Sequence, residues 1–159
     1  YGYLAPTYTM GKSIAWDYLF HFSSPIPDVD RKVSELAVNY PNGGQVRIYG
    51  ADNPDSLRGL YFDGVVLDEF GLMQGRVWYE VIRPALADRM GWACFIGTPQ
   101  GRNAFLEIRD LALRTPGWFH VEHRDRYARI PQSPYPSCIR SQPETCRITK
   151  YCPDMKSQP

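Results

Sequence analysis

Two short, unbroken apolar runs constrain the fold of this chain more than any other feature of its sequence. Residues 64–67 read Gly-Val-Val-Leu, and residues 92–97 read Trp-Ala-Cys-Phe-Ile-Gly. Runs of this length without polar alternation are typical of strands that are buried on both faces of a sheet. The segment between them, 74–89, has the apolar period of a helix, with a kink predicted at Pro84. Strands that alternate with helices predict an α/β fold with a mainly parallel sheet flanked by helices.

The neighbouring segments predict further elements of the same fold. Residues 1–4 predict the end of a strand, and the segment that follows has the period of a helix. The packed face of that helix is predicted to contain Ile14, Ala15, Tyr18, Leu19 and Phe22. Two alternating segments joined by residues 41–44, Pro-Asn-Gly-Gly, predict a β-hairpin. Asn103 is predicted to cap a last helix that packs through Phe105 and Ile108.

Composition separates the chain into a patterned body and a tail. At 159 residues, 43% of them hydrophobic and 22% charged, the chain fits one globular domain. We predict that this domain covers residues 1–124. Residues 125–159 contain six of the 14 prolines and no apolar period, which predicts a disordered or out-of-frame tail.

Charge and hydropathy exclude two simple explanations of function. The net charge is +1, so the chain lacks the basic field that would indicate nucleic-acid binding by charge alone. Any DNA contact is therefore expected to be local or to involve residues outside this sequence. No apolar run approaches the roughly 18 to 20 residues that cross a bilayer, which predicts a soluble cytoplasmic protein without a membrane partner.

An acid pair directly follows the first apolar run. Asp68 and Glu69 lie at the predicted carboxyl end of a parallel strand. An Asp at this position can hold Mg²⁺, and an adjacent Glu can orient or deprotonate the water that attacks the terminal phosphate of a nucleotide. Acid pairs also end strands as caps for a following helix, so the pair alone is consistent with either role.

A polar turn, Gly-Thr-Pro-Gln-Gly-Arg-Asn at 97–103, follows the second apolar run. The carboxyl ends of parallel strands meet at one edge of a sheet, so Thr98 is expected to reach the space over the acid pair and to sense a terminal phosphate. An ordinary strand-to-helix loop would explain Gly101 and Asn103. It would leave the Gly-Thr-Pro segment unexplained.

A tripeptide near the start of the chain imitates part of a phosphate-binding loop. Gly11, Lys12 and Ser13 match the end of that motif, but Pro6 stands where the motif has its first glycine. Proline has no backbone N–H to offer a phosphate. The tripeptide is therefore predicted to be a chance match at the solvated start of a helix.

Taken together, these segments resemble the large terminase subunits of tailed bacteriophages. The resemblance rests on residues 3–19, on residues 50–69 with the acid pair, and on residues 96–103, and it extends from residue 1 to about residue 119. It implies a partial P-loop NTPase-type domain, with the phosphate loop upstream of Tyr1 and with no nuclease domain in this sequence. By the same resemblance, the parent protein is a motor that uses ATP and Mg²⁺ to package viral double-stranded DNA into procapsids. Its implied partners are that DNA, the portal protein, the small terminase subunit and further copies in a homo-oligomeric ring, in the host cell cytoplasm.

The resemblance also implies roles for individual residues. It assigns Asp68 to Mg²⁺ and nucleotide binding and Glu69 to catalysis. It assigns Thr98 to nucleotide binding, and it assigns coupling of hydrolysis to DNA movement to Gly97, Thr98, Gly101 and Asn103. Arg58 matches an arginine that acts on the nucleotide of a neighbouring subunit, and the alternative is a loop arginine that pairs with Asp52 or Asp55.

Two other functions remain compatible with the sequence. A different ATP-driven nucleic-acid motor, such as a helicase, would carry the same acid pair. A non-catalytic remnant or interaction protein would explain the lack of a complete phosphate loop. Under either the terminase or the remnant interpretation, this chain alone is expected to be inactive as an ATPase.

Overall fold

The computed structural model describes residues 1–98 and 100–121 of the chain, and the predicted tail lies outside them. The strands are β1 (Gly2–Ala5), β2 (Asp30–Lys32), β3 (Ala37–Asn39), β4 (Gln45–Gly50), β5 (Gly64–Leu67) and β6 (Trp92–Phe95). Helix α1 is continuous through Tyr8–Gly11, a π-helical part Lys12–Trp16, and Asp17–Ser23. Helix α2 consists of a π-helical part Val77–Ile82 followed by Arg83–Ala87, and helix α3 is Ala104–Ala112. Single 3₁₀ turns are present at Val33–Glu35, Pro54–Leu57 and Phe70–Leu72.

The six strands form one sheet in the order β2-β3-β4-β1-β5-β6. Strands β4, β1, β5 and β6 are parallel, and β2, β3 and β4 form an antiparallel meander. Gly43, at φ +82°, turns the chain between β3 and β4, as the hairpin prediction requires. The mainly parallel α/β fold with a β-hairpin is therefore confirmed.

The parallel register determines which side chains share a face of the sheet. Leu4, Leu67 and Phe95 are on the first face, where α2 and α3 cover them with a core that includes Phe70 and Ile82. Leu4, Leu67, Phe70 and Ile82 are completely buried. Burial of apolar side chains contributes roughly 25 cal/mol per Å², so this core is the main source of stability.

The second face is covered only over part of the sheet. Helix α1 packs on it through Trp16, which contacts Leu36, Val38 and Ile48. The packed face of α1 matches the predicted one only in part, because Ala15 and Leu19 pack against this cluster as predicted. Ile14, Tyr18 and Phe22 were predicted to pack but are 40%, 65% and 70% exposed. The π-helical part, Lys12–Trp16, changes the helical phase, so a face derived from a period of 3.6 residues does not apply along the whole helix.

Strand β6 also differs from its prediction. The run 92–97 was predicted to be buried on both faces, but Trp92 and Ile96 are 50% and 48% exposed and Cys94 is exposed as well. These three side chains lie on the second face of the end strand, and no described helix covers them. We call Tyr1, Trp92, Cys94 and Ile96 the open face.

Two smaller predictions concern helices. Pro84 lies inside α2, in the α-helical part that directly follows the π-helical part Val77–Ile82, so the helix continues through the proline and the kink there stays a prediction. Asn103 caps α3 as predicted. None of the helices in residues 1–98 and 100–121 is long and apolar enough to span a membrane.

Candidate functional site

The acid pair lies at the carboxyl end of β5, where the chain leaves the sheet. The backbone N–H of Asp68 donates to the carbonyl oxygen of Leu4 at 2.8 Å, which fixes the start of the turn against β1. The Asp68 carboxylate has a partner on each oxygen. Oδ2 accepts a hydrogen bond from the hydroxyl of Tyr3, and Oδ1 accepts one from the backbone N–H of Glu69 at 3.0 Å. The orientation of this carboxylate is therefore determined by two neighbours.

Tyr3 is a residue of the site that the sequence did not indicate. Burial raises its pKa well above the usual value near 10, and the hydrogen bond to Asp68 raises it further. Tyr3 is therefore a neutral hydrogen-bond donor at physiological pH. Its contact with Asp68 follows from the parallel register of β1 and β5, which pairs Tyr3 with Val66. A sequence pattern predicts strands but not their register, so this partner could not have been found by pattern alone.

Glu69 has an unusual backbone conformation, with φ 49° and ψ 41° in the left-handed region. Its carbonyl oxygen accepts from the N–H of Leu72 at 2.9 Å. The N–H of the next residue, Phe70, donates to the carbonyl oxygen of Ile96 at 3.0 Å. A non-glycine residue in this region is strained, so the surrounding hydrogen bonds must hold the turn in place.

The predicted convergence of the second polar turn on the acid pair is present in the structure. A Cβ added to Gly97 would lie 3.4 Å from the backbone nitrogen of Phe70 and 3.6 Å from the Cα of Glu69. A Cβ on Gly71 would lie 3.5 Å from the carbonyl oxygen of Thr98. Residues 97–98 therefore lie directly against the turn 69–71, and the Thr98 side chain is exposed.

The end of the same loop also contacts the acid turn. The side-chain nitrogen Nδ2 of Asn103 donates to the carbonyl oxygen of Gly71 at 3.0 Å. Gly101 occupies the left-handed region at φ 64° with open space around it. A glycine is therefore favoured at this position by the backbone conformation and not by packing.

Arg58 follows the 3₁₀ turn Pro54–Leu57 and is exposed. Its Nε donates to Oδ1 of Asp55 at 2.8 Å, and its Nη2 lies 3.7 Å from Oε2 of Glu80. The hydrogen bond from Arg58 lowers the pKa of Asp55. The sequence offered Asp52 or Asp55 as a partner of Arg58, and the structure shows an ion pair with Asp55. It also shows a second partner, Glu80, which the sequence did not indicate.

The tripeptide Gly11-Lys12-Ser13 is part of the continuous helix α1 and does not form a loop. Gly11 is buried, and a Cβ there would lie 2.7 Å from Cγ2 of Ile48. The glycine thus permits close packing of α1 on β4, and the structure confirms that the match to a phosphate-binding loop is accidental.

An apolar cavity of about 310 Å³ lies between α1 and the second face of the sheet. Its lining consists of Tyr3, Ile14, Ala15, Tyr18, Leu19, Val46 and Ile48. Such a lining offers no polar partners for phosphate.

The fold and the site define a P-loop NTPase-type α/β protein, of which the described residues form a part. No family model matches the sequence. Over 79 residues, half of the chain, it is 42% identical to the protein named "Terminase, large subunit" in Thermus phage G20c, and equally to that of Thermus virus P23-45. The chain spans only 16% of the length of either relative.

A solved structure agrees with these relatives. The large terminase ATPase domain of Thermus phage P74-26 is 29% identical and has a TM-score of 0.59, over 83% of this chain and 57% of that one. The chain is therefore related to phage large terminase subunits, and its described part corresponds to a portion of their ATPase domain. The relatives give no support to the helicase alternative.

Proposed function

We propose that this chain is part of an ATP-hydrolysing motor that packages viral double-stranded DNA into procapsids in the host cell cytoplasm. The observation that carries the proposal is the contact of residues 97–103 with the turn that holds the acid pair. Two strand ends that carry chemical groups meet at one edge of a parallel sheet, which is where ligands of such folds bind. The relatedness to phage large terminase subunits supplies the identity of the motor.

Asp68 is suited to hold Mg²⁺. Each oxygen of its carboxylate has one protein partner, so lone pairs remain free on both. Mg²⁺ is usually bound through one or two carboxylates, with waters and substrate phosphates completing the shell. That habit agrees with the lack of any cluster of three or more His, Cys, Asp or Glu in the described residues. When bound, the ion would neutralise charge that develops on the transferred phosphate.

Glu69 is suited to act on the attacking water. Its carboxylate would accept a hydrogen bond from that water and take its proton. The backbone at Glu69 is strained but hydrogen-bonded, which fixes the position from which the side chain extends. Thr98, exposed next to the turn, would then sense whether the terminal phosphate is present, and residues 97–103 would transmit the change toward the DNA.

We propose further that copies of the motor form a ring and that Arg58 acts on the nucleotide of a neighbouring copy. Arg58 is exposed on a turn, and both of its carboxylate partners are exposed as well. Ion pairs of this kind contribute about 0 to 1 kcal/mol, so the guanidinium can be released to a phosphate at little cost. The portal protein and the small terminase subunit are the expected further partners.

The phosphate-binding loop itself would have to lie beside Asp68. Beside β5, which leads to Asp68, lies β6, the last strand of the described sheet, and Trp92 and Ile96 on its open face are half exposed. We propose that a strand and a helix of the ATPase domain, outside the described residues, cover that edge and face and bring backbone N–H groups to the nucleotide.

The test is a substitution of Glu69 in a full-length protein that contains this chain. Glu69→Gln should preserve ATP binding and lower turnover by about 10²-fold or more, because the amide keeps the shape but cannot accept a proton. The matched control is Glu107→Gln, the same change at an exposed position of α3. Undiminished turnover in Glu69→Gln, or no magnesium-dependent turnover in the wild type, would contradict the proposal and favour a non-catalytic protein.

Mixing experiments address Arg58. Arg58→Ala subunits and Glu69→Gln subunits should each be inactive alone. If Arg58 acts across subunits, some interfaces in mixed rings will combine an intact arginine with an intact glutamate, and activity should be partly restored. A mixture that stays inactive at every ratio would assign Arg58 to its ion pairs with Asp55 and Glu80 instead.

A further inference from the structure

The side chain of Asn103 makes two kinds of contact at once. Its Oδ1 accepts hydrogen bonds from the backbone N–H groups of Phe105 at 3.2 Å and Leu106 at 3.3 Å, which begins helix α3. Its Nδ2 donates to the carbonyl oxygen of Gly71 at 3.0 Å and to that of Gln100 at 3.3 Å. The amide therefore joins the start of α3 to the turn that carries Glu69.

The bond to Gly71 adds a partner from a different element to the hydrogen bonds of a strained turn. Glu69 donates to Asp68 and accepts from Leu72, while Phe70 donates to Ile96 and accepts from Met73 at 3.0 Å. These partners belong to the acid turn itself or to the residue directly after β6. Asn103 contributes a side chain from the helix that follows the second polar turn, so the position of α3 is linked directly to the backbone of the catalytic turn.

We propose that Asn103 is a positioning residue for Glu69. Its amide holds the turn 69–71 in the conformation in which the Glu69 carboxylate can act, and it makes that conformation depend on the position of α3. This inference deepens the proposed ATPase function and rests on it for its catalytic consequence. The choice of asparagine supports it, because Ser, Thr and Asp cap helices equally well but cannot donate an N–H to Gly71.

The first experiment uses the 159-residue chain and needs no nucleotide. In Asn103→Asp the cap on α3 is kept while the donor to Gly71 is lost. Amide hydrogen exchange at Phe70 and Leu72 should become about tenfold faster, and exchange at Ile108 within α3 should stay as in the wild type. Thr7→Ala, which removes the cap of α1, is the matched control and should leave exchange at Phe70 and Leu72 unchanged. Unchanged exchange at both positions in Asn103→Asp would overturn the proposal.

The second experiment measures ATP turnover in the full-length protein. Asn103→Asp should lower kcat by about tenfold with little change in KM for ATP, because Glu69 is misplaced while nucleotide binding is retained. Normal kcat in Asn103→Asp, in a protein that Glu69→Gln inactivates, would also overturn the positioning role. If the wild type has no turnover, the proposed function fails, and the exchange experiment still decides whether Asn103 holds the turn.

Discussion

Glu69 shows how a single residue combines local strain with a candidate role. Four non-glycine residues of the described chain have positive φ: Asp28, Leu36, Glu69 and Met90. The left-handed conformation costs a residue with a Cβ about 1 to 2 kcal/mol. At Glu69 the cost is offset by hydrogen bonds at both its own N–H and its own carbonyl oxygen. Strain maintained in this way is typical of functional positions.

Tyr3 leads to a prediction about pH. The pKa of Tyr3 is raised in the folded chain, through burial first and through the hydrogen bond to Asp68 second. Below about pH 10 the residue is neutral in both the folded and unfolded states, so its ionisation does not affect stability. Above that pH the unfolded state releases the proton and the folded state keeps it, so stability falls as pH rises.

The Tyr3→Phe variant should therefore behave differently at neutral and alkaline pH. At pH 7 it should lose about 1 kcal/mol of unfolding free energy, because the hydrogen bond to Asp68 is gone. Above pH 10 its stability should decline less steeply than that of the wild type. Denaturant unfolding at a series of pH values measures both effects. Parallel curves above pH 10 would show that Tyr3 has an ordinary pKa in the folded state.

At the scale of elements, the sequence predicts strands better than it predicts helix faces. The runs that became β5 and β6 and the hairpin of β3 and β4 were predicted correctly because strand signals are local. The face of α1 was predicted only in part: Ile14, Tyr18 and Phe22 remain exposed, since the π-helical part changes the helical phase. The exposure of β6 was also missed, because burial on two faces depends on which neighbours are present. The register of β1 against β5 brings Tyr3 to Asp68, and a register is determined only when the strands pair in the sheet.

Gly11 gives a test of the packing between α1 and β4. Gly11→Ala should destabilise the chain by about 1 to 3 kcal/mol, although alanine favours helix formation, because its Cβ would lie 2.7 Å from Cγ2 of Ile48. Ser13→Ala, an exposed position of the same helix, should change stability by less than about 0.5 kcal/mol. In an Ile48→Ala background the cost of Gly11→Ala should shrink. A stabilising Gly11→Ala would show that the helix does not approach the sheet so closely.

Strand β6 should show two classes of backbone amide. The N–H groups of Trp92 and Ile96 donate to the carbonyl oxygens of Asp63 and Leu67 at 3.2 and 2.9 Å. Because strand residues alternate, the N–H groups of Ala93 and Phe95 point to the outer edge, where the described sheet ends. Hydrogen exchange should be faster at Ala93 and Phe95 than at Trp92 and Ile96. Equal protection at all four positions would indicate that another strand pairs with β6.

At the scale of the whole molecule, the described residues would provide only one side of the proposed nucleotide site. They supply the acid pair and the second polar turn, while the tripeptide 11–13 lies in a helix that packs on β4. Binding of the β- and γ-phosphates of ATP needs backbone donors and a lysine in a loop. Without these groups, the negative charges of Asp68 and Glu69 would repel the phosphates of ATP.

The 159-residue chain alone is therefore expected to hydrolyse no ATP above background. The measurement is phosphate release from purified chain with ATP and magnesium, with Glu69→Gln as the control for contaminating enzymes. Turnover that disappears in Glu69→Gln would contradict this expectation. It would mean that the chain builds a phosphate site from residues to which we assign packing roles.

The position of Trp92 has an optical consequence. Its indole lies across Gly64, where a Cβ would come within 2.2 Å of the ring, and it is 50% exposed. Trp16 and Trp78 are only 7% and 5% exposed. Covering the open face would move the indole of Trp92 from water into an apolar environment and shift its fluorescence to shorter wavelengths. Trp16 and Trp78, together with Trp118, which stacks on Phe95, lie outside the open face and would keep their emission, so the change in Trp92 would report the covering of that face.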